Sequence, residues 1–289
     1  MSWHDKISNL KYDKLIKGFY LNFALKHSKT VAEYEQRVGN TVLSKQAKLF
    51  HIEHNHPVAS GSVTFIKYKK FFFAVTNEHC VRKKDVENYT VYVPSKKTNE
   101  RLDNQWIEIE LKFLHTDNNI DLAVFQVNSD SLKDTKRSFI ELFPTSFANI
   151  KEETQVILIG VPGERLEYLY PKDEDGEEDY SQGIETIMYN HITYFTTHEG
   201  VEDNIHQISF DSQQTVYSEG TEETKAFVQS AKGMSGSPAF IHSYIALDIN
   251  QVRFLGITSN ADPQYGKAYI IGLNEVIGFL DNVIENISE

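Results

Sequence analysis

Apolar positions follow two different rhythms along this chain, and the change falls near residue 49. In the first 27 residues Ile7, Leu10, Leu15, Ile16, Phe19, Tyr20 and Phe23 recur at spacings of three and four, with lysines and polar residues between them. That period puts the apolar side chains on one stripe and predicts an amphipathic helix over residues 5–27. The stretch from Thr30 to Gln46 is mixed and predicts partial helix. Residues 1–46 together read as an N-terminal helical extension. The plain reading is a helix that covers a core; the sharper one is a regulatory or partner-binding arm.

From Leu49 onward short β-rich runs follow one another, bounded by turn residues. They are SVTFIKY at 62–68, FFFAVT at 71–76, YTVYVP at 89–94, WIEIELKFL at 106–114, LAVFQV at 122–127 and QVILIGV at 155–161. TIMYNHITYFT at 186–196, HQISF at 206–210, KAFVQS at 225–230, PAFIH at 238–242, FLGITS at 254–259 and AYIIG at 268–272 complete the series. About a dozen strands with no helix between them argue for antiparallel barrels or sandwiches. Helical spacing returns only at the end, where Val276, Ile277, Leu280, Val283 and Ile284 form a stripe. Acidic runs at 172–179, 197–204 and 218–224 predict solvated loops, because like charges repel one another.

Composition narrows the function. A chain of 289 residues, 40% of them hydrophobic, has material for a substantial core. Its formal net charge of -12 argues against sequence-independent nucleic-acid binding, which needs basic surface to displace counterions. Cys80 is the one cysteine, so no internal disulfide forms and a reducing compartment is expected. Charges interrupt MSWHDKISNLKYDKLIKGFY every few residues, so it lacks the apolar core of a signal peptide. No apolar run reaches the ~18 residues of a membrane span. The expectation is a cytoplasmic protein with no membrane partner.

Three stretches carry candidate chemistry. In Gly233-Met234-Ser235-Gly236-Ser237-Pro238 a serine stands between glycines, between two strand-like runs. Such a turn exposes the hydroxyl, and the amides of Gly233 and Ser235 can point together at a developing oxyanion. Pro238 suits the first residue of a strand, where a missing N–H matters least. In Phe73-Ala74-Val75-Thr76-Asn77-Glu78-His79-Cys80 an apolar strand runs straight into a histidine. In Asp121-Leu122-Ala123-Val124-Phe125 an aspartate opens a strand that is otherwise apolar on both faces. An acid there must be paired or hydrogen-bonded. The structural alternatives are an ordinary turn for the serine, a satisfied histidine at a strand end, and a capping aspartate.

Other signals add little. His51, His54 and His56 cluster without a fourth ligand group, and exposed histidines leading into a strand explain them, so no metal and no cofactor are expected. Gly160-Val161-Pro162-Gly163-Glu164-Arg165 lacks the lysine of a phosphate loop. Asn88-Tyr89-Thr90 and Asn286-Ile287-Ser288 match the glycosylation sequon but have no secretory context.

Taken together and in this order, histidine, aspartate and serine resemble the chymotrypsin-like serine proteases, and the bacterial trypsin-like branch with its glutamyl endopeptidase and HtrA types most of all. Thr76-Asn77-Glu78-His79-Cys80 is similar to T-A-A-H-C, Asp121-Leu122-Ala123-Val124 to D-[IL]-A-[VL], and Gly233–Pro238 to G-[ND]-S-G-[GS]-P. Ser60-Gly61-Ser62-Val63 resembles the G-[ST]-G-[FV] strand, and Ile159-Gly160-Val161-Pro162-Gly163 the G-Y-P-G turn. The likeness covers roughly residues 55–285. It implies an all-β fold: a chymotrypsin-like double six-stranded antiparallel β-barrel over residues 47–289, split near 145–150, with the N-terminal helical extension and a C-terminal helix.

The resemblance also implies a mechanism: Ser235 as nucleophile, His79 as general base, Asp121 as its orienter, and the amides of Gly233 and Ser235 as oxyanion hole. It places Thr258, Ser259 and Asn260 along one wall of a substrate pocket, with Ser259 supporting Asp121, and Gln229, Ser230 and Ala231 along the other. Neither an aspartate at Gln229 nor a histidine at Thr258 is present, so preference for basic residues or for glutamate is not indicated. Asn77 and Glu78 replace two small residues before the base, and Met234 stands where an activation aspartate would be. The expected function is an intracellular serine endopeptidase acting on protein or peptide substrates through an acyl-enzyme, regulated by its N-terminal helix and a regulatory protein. The alternative is a catalytically impaired protease fold that serves as a protein-binding module.

Overall fold

The computed structural model describes residues 29–30, 33–54, 56–81, 88–96, 106–143, 150, 154–163, 166–173, 175–179, 186–189, 192–210, 217–218, 233–242, 248–262 and 266–288. The helix expected over 5–27, the run 225–230, the pocket positions Gln229, Ser230 and Ala231, and residues 145–149 of the split near 145–150 all lie outside the described residues.

Eight strands form the first sheet: β1 (Gln46–Glu53), β2 (His56–Tyr68), β3 (Phe71–Thr76), β4 (Tyr89–Pro94), β5 (Trp106–Glu110), β6 (Lys112–Asp117), β7 (Leu122–Gln126) and β8 (Ile140–Leu142). Their order is β5-β4-β1-β2-β3-β7-β6, with β8 paired in parallel to β2. The two ends of that path are one piece of chain, because only the buried Leu111 parts β5 from β6. The run expected as one strand over 106–114 therefore bends at Leu111, pairs with β4 on one side and with β7 on the other, and closes a six-stranded ring.

The remaining strands are β9 (Gln155–Gly160), β10 (Leu166–Leu169), β11 (Thr186–Tyr189), β12 (Ile192–Glu202), β13 (Ile205–Ser209), β14 (Tyr217–Ser218), β15 (Pro238–His242), β16 (Arg253–Asp262) and β17 (Lys267–Gly272). The order β13-β17-β16-β15-β9-β12, with β12 and β13 also paired, is a closed six-stranded barrel. The fold is an all-β double barrel of the chymotrypsin-like kind. Two expectations change here. The run 186–196 divides, and its first part pairs with β10 as a separate two-stranded sheet. Residues 197–202 belong to β12 and are not a loop, since His198 is buried and β13 pairs with this stretch.

Alternation along the strands explains three apolar layers. On β3, Ala74 joins the core of the first barrel, while Phe73 and Val75 join a central layer. On β9, Val156 and Leu158 join the core of the second barrel, while Ile157 and Ile159 join the same central layer. Strands buried on both faces read as unbroken apolar runs. Helix α1 (33–43) and helix α2 (Leu273–Ser288) complete the central layer with Tyr34, Val38 and Val42 and with Val276, Leu280 and Val283. The end of the N-terminal segment is thus a part of the core, and β1 starts at Gln46. Among the described residues no helix is long and apolar enough to cross a membrane.

Candidate active site

Strand β3 ends at the fully buried Thr76, whose hydroxyl donates to the Ser62 carbonyl at 2.7 Å. The chain then makes a single 3-10 turn, Glu78–Cys80, with Cys80 packed inward and His79 half-exposed at the surface. Asp121 precedes β7 in a left-handed conformation, φ 54°, which aspartate tolerates better than most residues. Asn77 steadies that turn, its Nδ2 donating to the Asp121 carbonyl at 3.0 Å.

The Asp121 side chain meets His79 twice. Both carboxylate oxygens lie 2.9 Å from the ring Nδ1, and Oδ1 also accepts the His79 backbone N–H at 3.2 Å. A third donor arrives from the other barrel: Ser259 Oγ donates to Asp121 Oδ2 at 2.8 Å. Ser259 reaches it because β16 bulges there, Thr258 pairing with Ile270 and Asn260 with Tyr269. A bulge re-aims the extra residue. The carboxylate raises the pKa of His79, helped by the Cys80 thiol and opposed by burial. Burial pushes Asp121 up, but the bonds from His79 and Ser259 outweigh it and hold the acid below its usual range.

Ser235 comes from the second barrel on a loop clamped to the first. Ser62 N–H donates to the Ser235 carbonyl at 2.7 Å, and Thr64 Oγ1 to the Gly236 carbonyl at 2.8 Å. Gly236 N–H in turn donates to the Thr258 carbonyl at 2.8 Å. Gly233 and Gly236 have φ of 94° and 89°, and a Cβ on Gly236 would lie 1.9 Å from the Ser62 oxygen. The Met234 side chain is buried in the second barrel core and anchors the turn. The Ser235 hydroxyl donates to the Ser259 carbonyl at 2.7 Å.

His79, Asp121, Ser235 and Ser259 therefore share one hydrogen-bonded cluster at the seam of the barrels. Among the described residues no bond joins Ser235 Oγ directly to His79. Thr258 is buried, with no partner for its hydroxyl among the described residues, and Asn260 is exposed on β16. Beside His79 a cavity of about 220 Å³ is lined by His51, Val58, Ala59, Ser60 and Cys80. Its His51 is buried against Tyr89, so the expectation that all three clustered histidines are exposed does not hold for it. Lys48 carried no sequence signal, since a lysine in KQAKLF reads as solvent-facing, and Ser62 stood out only as part of the Ser60–Val63 strand.

Over residues 59–244, more than half of the chain, the sequence matches the trypsin-like peptidase domain family. No curated protein matches the chain.

Proposed function

Because this chain belongs to the trypsin-like peptidase domain family, we propose that it is a serine endopeptidase that cleaves proteins or peptides with Ser235, His79 and Asp121. Family membership supports protease function in general; the assignment of roles is our reading of the site. The observation that carries it is the chain of contacts from His79 Nδ1 to Asp121, from Asp121 to Ser259, and from Ser259 to Ser235.

With Nδ1 donating to Asp121, Nε2 of His79 is the nitrogen left to exchange protons. The Ser235 side chain rotates from the Ser259 carbonyl towards Nε2, loses its proton there, and attacks the substrate carbonyl. Asp121 keeps the ring in that tautomer and stabilises the imidazolium. The amides of Gly233 and Ser235, on a loop held by glycines with positive φ, receive the oxyanion. His79 then protonates the leaving amine, an acyl-enzyme remains on Ser235, and water activated by His79 releases it. Thr258, Ser259 and Asn260 are read, from the resemblance, as one wall of the substrate pocket. The buried, unpaired thiol of Cys80 suits a reducing compartment such as the cytoplasm.

Labelling with a fluorophosphonate probe tests this reading. Wild type is expected to label, and Ser235→Ala and His79→Ala are not. The hydrogen bond from Ser235 to the Ser259 carbonyl favours a second reading, a protease fold that serves as a binding module; an unlabelled wild type would decide for it. The N-terminal segment is proposed to restrain the site, and faster labelling of a chain lacking residues 1–28 would support that restraint.

A further inference from the structure

Lys48 sits on β1 with 1% of its surface exposed, and the mechanism above does not use it. Its chain crosses from the first barrel to the second. There Nζ donates to the Gly233 carbonyl at 3.0 Å and to the Val161 carbonyl at 3.2 Å. The Gly233 carbonyl accepts a second bond, from Ser62 Oγ at 3.0 Å, and Ser62 lies opposite Lys48 in the pairing of β1 with β2. A Cβ on Gly233 would stand 2.7 Å from Nζ and 3.0 Å from the Gly163 nitrogen, so lysine, glycine and the turn after β9 are in contact. Among the described residues no carboxylate pairs with this ammonium. Taking a cation out of water is costly unless hydrogen bonds compensate, and here carbonyl dipoles alone do so. Burial draws its pKa down to about 8.

The peptide unit between Gly233 and Met234 lies between the two units whose N–H groups face the expected oxyanion. Its orientation sets their mutual angle. Gly233 offers no Cβ to bias that orientation, and its φ of 94° lies where glycine moves freely. Turning the unit over would aim the Met234 N–H at the Lys48 ammonium and the Ser62 hydroxyl, donor against donor. We propose that Lys48, together with Ser62, is a positioning residue that fixes the Gly233 carbonyl and so keeps the amides of Gly233 and Ser235 aimed at the cleft. This rests on the serine-protease reading.

The test uses the full chain with Lys48→Met, which keeps length but donates nothing, and with Ser62→Ala. The inactivation rate constant kinact and the binding constant KI of a fluorophosphonate at Ser235 are measured beside the melting temperature. Lys48→Met is expected to lower kinact at least ~10-fold with KI within ~3-fold, and Ser62→Ala to do the same more weakly; loss of a whole oxyanion donor is worth ~10²–10³. A lower melting temperature with kinact unchanged would mean a structural role and overturn the proposal. If Lys48→Met does not fold, Ser62→Ala decides: a reduced kinact supports the proposal, and one within ~2-fold of wild type overturns it. An unlabelled wild type overturns the serine-protease reading and this inference with it. A labelled wild type whose kinact survives both substitutions overturns this inference alone.

Discussion

Asp121 holds His79 by the ring and by the main chain at once, accepting from Nδ1 at 2.9 Å and from the backbone N–H at 3.2 Å. Asparagine at this position keeps the backbone bond but supplies an amide that cannot hold the ring in the same tautomer. Asp121→Asn is expected to fold normally and to slow turnover by about 10⁴. Asp121→Ala loses the same function and adds strain of roughly 1–2 kcal/mol, because alanine tolerates the φ of 54° less well than asparagine. Labelling kinetics with thermal melts of the two variants check this; equal melting temperatures would contradict the strain argument.

The pH profile follows from the direction of the His79 shift. Neutral His79 is the base, and its folded pKa is raised above 6.5 by Asp121 first and Cys80 second. Activity should therefore rise with pH through a midpoint above 6.5. Stability runs the other way. A raised pKa contributes stability that is complete below the unfolded value and is lost as pH rises through the folded one. The second-order rate of fluorophosphonate labelling across the pH range gives the midpoint, and Asp121→Asn should move it down. A wild-type midpoint at or below 6.5 would refute the assignment.

Gly236 has no room for a methyl group. Its φ is 89°, and a Cβ would lie 1.9 Å from the Ser62 oxygen and 2.4 Å from Thr76 Oγ1. Gly236→Ala must push apart strands of two barrels, at a cost on the order of 3 kcal/mol or more. Urea denaturation should show a lower midpoint with loss of labelling. A midpoint equal to that of wild type would mean the loop relaxes without strain.

Truncation separates the two parts of the N-terminal segment. Removing residues 1–28 takes away none of the described core side chains, so the labelling rate of that chain reports on the proposed restraint. Removing residues 1–46 takes away the buried Tyr34, Val38, Val42 and Leu43 and the first residue of β1. Each such side chain contributes roughly 1.5–3 kcal/mol, so the loss rivals the ~5–15 kcal/mol by which domains are stable. Circular dichroism should find that chain unfolded; a native spectrum would show that α1 is dispensable.

Strands such as β3 and β7 were legible because layers on both sides bury them, leaving runs like Leu122–Phe125 with no polar break. Strand β1 was not, because Gln46, Lys48 and His51 are polar side chains that the fold buries. No pattern in one sequence distinguishes them from surface residues. The bend at Leu111 was hidden for the opposite reason: it is one more apolar residue in an apolar run. In the candidate site, His79, Asp121 and Ser235 stood out because tight turns fix their neighbours. Ser259 was named only through resemblance, since a bulge in pairing, which no local spacing encodes, is what points it at Asp121. Asn77, read as a departure, proves to brace the Asp121 turn.

The proposed base and its orienter belong to one barrel and the proposed nucleophile to the other, with the central apolar layer of Phe73, Val75, Leu122, Ile157, Ile159 and Ile257 between them. That layer acts as a spacer as well as a core. A misplacement of about 1 Å in a reacting pair can cost on the order of 10² in rate. Repacking one of these side chains can thus leave the protein folded and still detune it. Turnover then serves as a gauge of the distance between two bodies.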